Sequence, residues 1–170
     1  MYRLNVVAKD VVGGNMNNYE MALNVPRLED DVLFASSLVL GDVLEKVPTR
    51  SIGTGQFVIG TSKVRPRVGE TFRRNEKMGI YMKLYNFQPD EATGKPKGEI
   101  VYEIVRDSDN KPVLEFTEDA AALEGSASQV TIEKLLPLAN FEPGKYTLKV
   151  KATDRLRNAS LTQSAQFTVL

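Results

Sequence analysis

The chain has 170 residues, of which 42% are hydrophobic and 26% charged, so it can bury the core of one domain, with or without a piece of another. Lysine and arginine together number 22, as do aspartate and glutamate, and this balance provides no electrostatic footprint for nucleic acid or an anionic membrane. No apolar run approaches the ~20 residues of a membrane helix, and the first residues lack the layout of a signal peptide.

Three residue types are missing from the chain: histidine, cysteine and tryptophan. The absence of histidine and cysteine excludes Ser-His-Asp and Cys-His catalysis within the chain and the usual zinc ligands. Carboxylate, lysine, tyrosine and oxygen-ligated metal chemistry remain, but no carboxylate pair stands out among the 22 acidic residues. We therefore expect a protein that is not an enzyme and that holds no cofactor.

The first predicted element is a β-hairpin over residues 1–26. Gly13-Gly14-Asn15 supplies turn residues that tolerate left-handed backbone, and Leu23 and Val25 belong to the returning strand. The apolar residues of the first strand alternate with others, at Tyr2, Leu4, Val6 and Ala8.

The middle of the chain predicts short strands separated by turns. The spacing of apolar residues in Leu33–Leu44 is compatible with a helix. Ser36, Ser37 and Gly41 disfavour a helix, however, and we predict an opening strand. Further strands are predicted near 56–65, 78–87, 99–106, 112–117 and 128–136, with turn residues at 66–69, 89–96 and 107–112. Many short strands without a sustained helical period indicate an all-β protein, an antiparallel immunoglobulin-like β-sandwich.

The last predicted element is a hairpin with a turn at residues 154–158. Its first strand, from Tyr146 to Thr153, alternates apolar and polar residues, and its second spans residues 161–170. Pro143-Gly144 just before Tyr146 fits the tyrosine corner of immunoglobulin-like sandwiches, so we predict that the Tyr146 hydroxyl bonds to backbone within 138–143.

The opening hairpin repeats the closing hairpin at a constant offset of 144 residues. Five positions of the first strand and two of the second match in this way: Tyr2, Leu4, Val6, Ala8, Asp10, Leu23 and Val25 with Tyr146, Leu148, Val150, Ala152, Asp154, Phe167 and Val169. We therefore predict a boundary at about Pro26, with residues 1–26 the last hairpin of a preceding, truncated sandwich and 27–170 a complete one. The apolar row of such a hairpin needs a cover, either strands 78–87 and 100–105 or another copy of the chain.

Two predicted strands are apolar on both faces, which a solvated sandwich face is not. They are 78–87 and 100–105, and the residues that we expect on a candidate interaction face are Tyr81, Lys83, Tyr85, Val101 and Val105. The predicted partners are neighbouring domains of the parent protein or another copy of the chain, with a glycan less favoured. The alternative is that tyrosine and valine occur there through β-propensity.

Acidic residues cluster in predicted turns. Asp107, Asp109 and Asn110, and separately Asp90 and Glu91, carry oxygen atoms that suit calcium. Aspartate and asparagine also cap turn backbone, and we favour that role here and for Asp10 and Asp154.

Seven segments carry a resemblance to a known family: 7–12, 25–27, 55–60, 63–66, 81–86, 135–138 and 142–150. They resemble the C-terminal region of acidobacterial GWxTD-domain proteins, and the similarity covers essentially the whole chain. The resemblance implies a fragment of a long, exported protein, hence an extracytoplasmic location, with immunoglobulin-like modules in its tail. The Gly-Trp-x-Thr-Asp motif itself is absent, so the activity of the domain that bears it does not carry over.

The leading hypothesis is therefore a structural or interaction module. The alternative is a carbohydrate- or peptide-binding module that uses the Tyr81 and Tyr85 face, and a third hypothesis is a hydrolase that uses two carboxylates.

Overall fold

The computed structural model describes residues 1–25, 27 and 29–170, and the chain divides into two compact units, Met1–Asp30 and Asp31–Leu170. The predicted boundary at Pro26 lies outside the described residues.

The first unit is an antiparallel hairpin of two strands, β1 (Tyr2–Lys9) and β2 (Met16–Leu23). Eight cross-strand pairs join them, from Tyr2 with Leu23 at the open end to Lys9 with Met16 beside the turn. Every residue of both strands is exposed.

The second unit is a β-sandwich. Its strands are β3 (Phe34–Ala35), β4 (Val39–Lys46), β5 (Val58–Ile59), β6 (Ser62–Pro66), β7 (Thr71–Phe72), β8 (Lys77–Tyr85), β9 (Gly98–Arg106), β10 (Lys111–Asp119), β11 (Glu124–Ser126), β12 (Gln129–Pro137), β13 (Gly144–Asp154) and β14 (Ala159–Val169). Two short 3-10 helices, Thr49–Ser51 and Ala120–Ala122, lie between strands.

The strands form two sheets. One has the order β10-β9-β13-β14-β7, and the other has the order β11-β12-β8-β4-β6-β5, with β3 paired to β8. Neighbouring strands are antiparallel except β14 and β7, which run parallel over two residue pairs. The predicted all-β, antiparallel sandwich is confirmed.

The observed strand boundaries agree in most places with those predicted from the sequence. Leu33–Leu44 holds β3 and most of β4, so strand in place of helix is confirmed here, but the single opening strand is wrong because residues 36–38 separate the two. The single strand predicted at 56–65 is wrong, because Gly60 adopts a φ of 61° and turns the chain between β5 and β6. The strands β7 and β11 were not predicted, since two or three residues are too few to show a period.

Alternate residues of the long strands form the core between the sheets. Met78, Ile80, Met82 and Leu84 of β8 face Ile100, Tyr102 and Ile104 of β9, and the buried row of β13 consists of Tyr146, Leu148, Val150 and Ala152. The Tyr146 hydroxyl donates to the backbone oxygen of Glu142 at 2.7 Å, so the predicted tyrosine corner is confirmed.

The chain enters the sandwich at one end and leaves it at the other. Phe34 of β3 pairs with Tyr85, where β8 ends. Val169 of β14 pairs with Phe72, a few residues before β8 begins at Lys77. The two ends of the module are therefore separated by the length of β8.

Candidate functional site

The residues of the predicted interaction face are divided between the two sheets. Tyr81, Lys83 and Tyr85 lie on β8 of the larger sheet, and Val101 and Val105 lie on β9 of the smaller sheet. All five belong to rows that point away from the core, and the outer faces of two packed sheets point in opposite directions. The structure therefore does not bring these five residues together on one surface.

The module itself covers the first of these residues, Tyr81, whose exposed fraction is 4%. Strand β4 pairs with β8 only from Val39 to Gly41 and is then displaced by a bulge. The rest of β4 lies over the outer face of β8, where a Cβ added to Gly79 would come within 2.8 Å of the Leu44 Cβ. Tyr81 consequently presents no ring face to a ligand.

A polar cluster fastens the ribbon of β4 and β6 to this face. The Ser62 hydroxyl donates to a Glu133 carboxylate oxygen at 2.6 Å, and Lys46 Nζ lies 2.9 Å from the other oxygen and also pairs with Glu124. Burial, followed by the charge of Glu133, raises the pKa of Tyr81 to about 12. Hydrogen bonds to Glu124 and Glu133 raise the pKa of Lys46, so this amine stays protonated.

Serine, lysine and a carboxylate in contact could in principle form a nucleophile and its base. Here the Ser62 side chain has no exposed surface, so a substrate cannot reach its hydroxyl. Lys46 is already charged and engaged by two carboxylates, so it is not available as a base. The arrangement joins strands rather than presenting a reactive group.

Of the other residues of the predicted face, Val105 is buried, whereas Lys83, Tyr85 and Val101 are partly accessible. Tyr85 is half-buried and packs against Phe34 with ring centroids 6.2 Å apart. On the opposite sheet, Val101 lies near the ion pair of Lys149 with Glu103, whose N–O distance is 3.0 Å. Contact of either face with a partner stays a prediction.

Two acidic residues of the turns bind backbone groups, whereas Asp107 accepts a hydrogen bond from the Thr147 hydroxyl at 2.7 Å. Asp90 accepts hydrogen bonds from the backbone of Ala92 and Thr93, and Asp109 accepts one from Lys111. These bonds confirm the turn-capping role that we favoured for them. In the part of the chain that the structure describes, no three acidic residues lie together as metal ligands would.

Asp10 and Asp154 have the predicted role of turn acceptors. Asp10 accepts from the Val12 backbone at 2.9 Å, and Asp154 accepts from the equivalent Leu156 at 2.9 Å. Asp154 is fully buried and also accepts from Gln88 at 2.7 Å, which ties the turn to the neighbouring loop.

A pocket that the sequence analysis missed lies at the end of the sandwich where the chain leaves. Its cavity volume is about 320 Å³, and its walls come from Val113, Leu114, Leu136 and Phe141, with Arg106 beside them. The missed signal is the alternation on β9, which places Arg106 on the inward row after Ile100, Tyr102 and Ile104.

Fold and site together define the chain as a β-sandwich module preceded by a two-stranded hairpin. No protein-family model matches the chain, and no curated protein matches it. Among solved structures, it is similar to part of a family 123 glycoside hydrolase from Clostridium perfringens, with a TM-score of 0.37 and 11% identity over 82% of this chain and 27% of that chain. A likeness this distant assigns neither family nor activity. None of the described residues forms a helix long and apolar enough to span a membrane.

Proposed function

We propose that the chain is a non-catalytic structural and interaction segment of a larger, exported bacterial protein in which β-sandwich modules follow one another. The observation that supports this proposal is the pairing of the first hairpin. Its eight cross-strand pairs become pairs of the closing hairpin when 144 is added to both members, from Tyr2 with Leu23 to Lys9 with Met16.

The turns of the two hairpins correspond as well. Gly14 and the equivalent Asn158 both have left-handed backbone, with φ values of 73° and 53°. Because a one-residue slip would reverse the faces of a strand, equal register and equal turn length put equivalent side chains on equivalent faces. Residues 2–23 thus have the construction of the last hairpin of a sandwich.

In the second unit, the closing hairpin of β13 and β14 contacts two other parts of the sandwich. Strand β13 pairs with β9 along its second edge, and its inward row lies against the larger sheet. The first hairpin has a corresponding apolar row, and 42% of Leu4 is exposed. We infer that strands of a preceding module supply both neighbours.

The path of the chain through the sandwich suits a protein in which several such modules follow one another. An entry at one end of the sandwich and an exit at the other let modules follow head to tail without doubling back. Neighbouring modules, or a second copy of the chain, are the partners that this role requires. The described acidic, lysine and tyrosine residues of the clusters above serve strand and turn contacts, which supports a non-catalytic role.

Hydrogen exchange tests the proposal directly. We expect amides of β1 and β2 to exchange rapidly in the 170-residue chain, because an isolated hairpin is marginal in water, and to be protected in the full-length parent protein. Amides of β13 serve as the internal control and should be protected in both. Equal, rapid exchange of β1 in the parent protein would contradict the proposal.

Sedimentation distinguishes a second copy of the chain from a preceding module as the partner that covers the first hairpin. If two copies cover each other's hairpin, the 170-residue chain sediments as a dimer and a variant without residues 1–26 as a monomer. If a preceding module supplies the cover, both are monomers.

A further inference from the structure

The pocket at the exit end lies where the two sheets part, between β10 and β12. Strand β10 is bulged there, because Val113 has no partner between the pairs that Pro112 and Leu114 make with β9. Leu114 on one side and Leu136 on the other line the opening. Its volume of about 320 Å³ is at the lower end of the range that small-molecule sites occupy.

The only cationic side chain among the residues that line this pocket is Arg106. It continues the inward row of β9 and pairs across the sheet with Tyr146. Its Nε is buried and donates to no described protein atom. A guanidinium carries five donors in a planar fork that matches a carboxylate, and a buried donor without a partner is costly.

The carboxylate partner of Arg106 is weakly held, and the second partner is the Tyr146 side chain. A terminal nitrogen of the guanidinium lies 2.9 Å from a carboxylate oxygen of Glu142, whose side chain is 70% exposed. Exposed ion pairs contribute little free energy, because water screens them and two long side chains must be ordered. The Tyr146 hydroxyl holds the Glu142 backbone, whereas Arg106 is the one described partner of the Glu142 carboxylate.

We propose that this pocket binds a small carboxylic acid with an apolar body. The carboxylate takes the place of the Glu142 side chain on Arg106, and the body packs against Leu114, Leu136 and Phe141. The charge of Arg106 selects an anion, and the apolar walls exclude inorganic anions and sugars, which have no apolar body to bury.

Titration with 3-phenylpropionate and with its neutral counterpart 3-phenylpropanol, followed by amide resonances of the intact chain, tests the proposal. With about eleven non-hydrogen atoms the acid should bind in the millimolar range, with shifts at Leu114, Leu136 and Phe141. The alcohol should bind at least about tenfold more weakly, because it lacks the charged partner for Arg106.

Two variants and one control separate ligand binding from a structural role of Arg106. Arg106→Gln should lower the affinity for the acid to that for the alcohol. Glu142→Gln, which removes the competing carboxylate, should raise the affinity for the acid about two- to fivefold and leave the alcohol unchanged. Arg155→Gln removes an exposed arginine whose carboxylate partner is Glu99, on a strand end away from the pocket, and should change neither.

Several outcomes overturn the proposal: equal binding of acid and alcohol, no binding of either, or shifts away from the pocket. If Arg106→Gln does not fold, the Glu142→Gln result decides, and unchanged affinity for the acid refutes the site. Binding of a peptide through its free carboxyl terminus without binding of 3-phenylpropionate also refutes a small-acid site.

Discussion

The first hairpin and the closing hairpin have the same pairing register and corresponding turns, but their surroundings differ completely. Leu148 of β13 has no exposed surface, whereas its equivalent Leu4 of β1 is 42% exposed. Asp154 is buried beneath its turn, while Asp10 is exposed.

The comparison separates two levels of structure. Alternation and turn residues determine which side chains share a face of a hairpin, because these are local properties. Burial of that face depends on strands far away in the chain, as it does for β13, which pairs with β9 and packs against the larger sheet. Equivalent substitutions in the two hairpins therefore measure what such neighbours contribute to stability.

The largest difference should come from the leucines. Leu148→Ala removes buried methyl groups and leaves a cavity, so the free energy of unfolding should fall by about 2 to 5 kcal/mol. Leu4→Ala removes exposed groups and should change it by less than about 0.5 kcal/mol. Urea denaturation of both variants gives the two values. Similar losses at the two positions would mean that the face of the first hairpin is covered in the 170-residue chain.

A smaller difference is expected for the turn aspartates. Asp154→Ala leaves the backbone donors of Gln88, Leu156 and Arg157 without their acceptor, and we expect a loss of about 2 to 3 kcal/mol in the free energy of unfolding. Asp154→Asn keeps one oxygen and should lie between this variant and the natural protein. Asp10→Ala should leave the thermal transition of the sandwich unchanged, and a lowered transition would mean that the turn of the first hairpin contributes to the stability of the sandwich.

A still smaller difference in the free energy of unfolding is expected for the equivalent tyrosines, Tyr146 and Tyr2. Tyr146→Phe removes the hydroxyl that donates to the Glu142 backbone, which should cost about 1 kcal/mol of stability. Tyr2→Phe removes an exposed hydroxyl and should cost nothing measurable in the same denaturation experiment. An unchanged midpoint for Tyr146→Phe would argue that the corner bond is replaced by water.

The smallest expected effect is a pH-dependent change in the turn of the first hairpin. The backbone groups of Gly13 and then Val12 bond to the Asp10 carboxylate and hold its pKa below the ordinary value of an aspartate. The stabilisation of the turn is present above the unfolded pKa and is lost as the pH falls through the lower, folded pKa. Amide shifts of Val12 and Gly13 should therefore titrate with a midpoint below that of an aspartate in an unfolded peptide and stop titrating in Asp10→Asn. A midpoint equal to that of the unfolded peptide would show that the turn is open in solution.

Local sequence properties predicted the strand class, the tyrosine corner and the turn aspartates, since each depends on residues within about ten positions. The assignment of strands to sheets was not predictable in this way, because β8 and β9 both carry apolar residues on two rows and only long-range pairing decides that they belong to different sheets. The burial of Tyr81 was not predictable from the sequence either. The β4–β6 ribbon covers Tyr81 only because a bulge displaces β4 from its pairing with β8. Arg106 was detectable, because it is the one charged residue on an otherwise apolar inward row.

The path of the chain also determines how the sandwich bears a mechanical load. Strand β14 runs from the entry end to the exit end and is joined to β13 by eleven cross-strand pairs. A pull between residues 33 and 170 acts along β14, so these pairs share the force in shear and do not open one after another. The rate of forced unfolding then depends on a barrier that involves the whole β13–β14 ladder. A pull across the strands, applied at the turn between β13 and β14, would meet only one pair at a time.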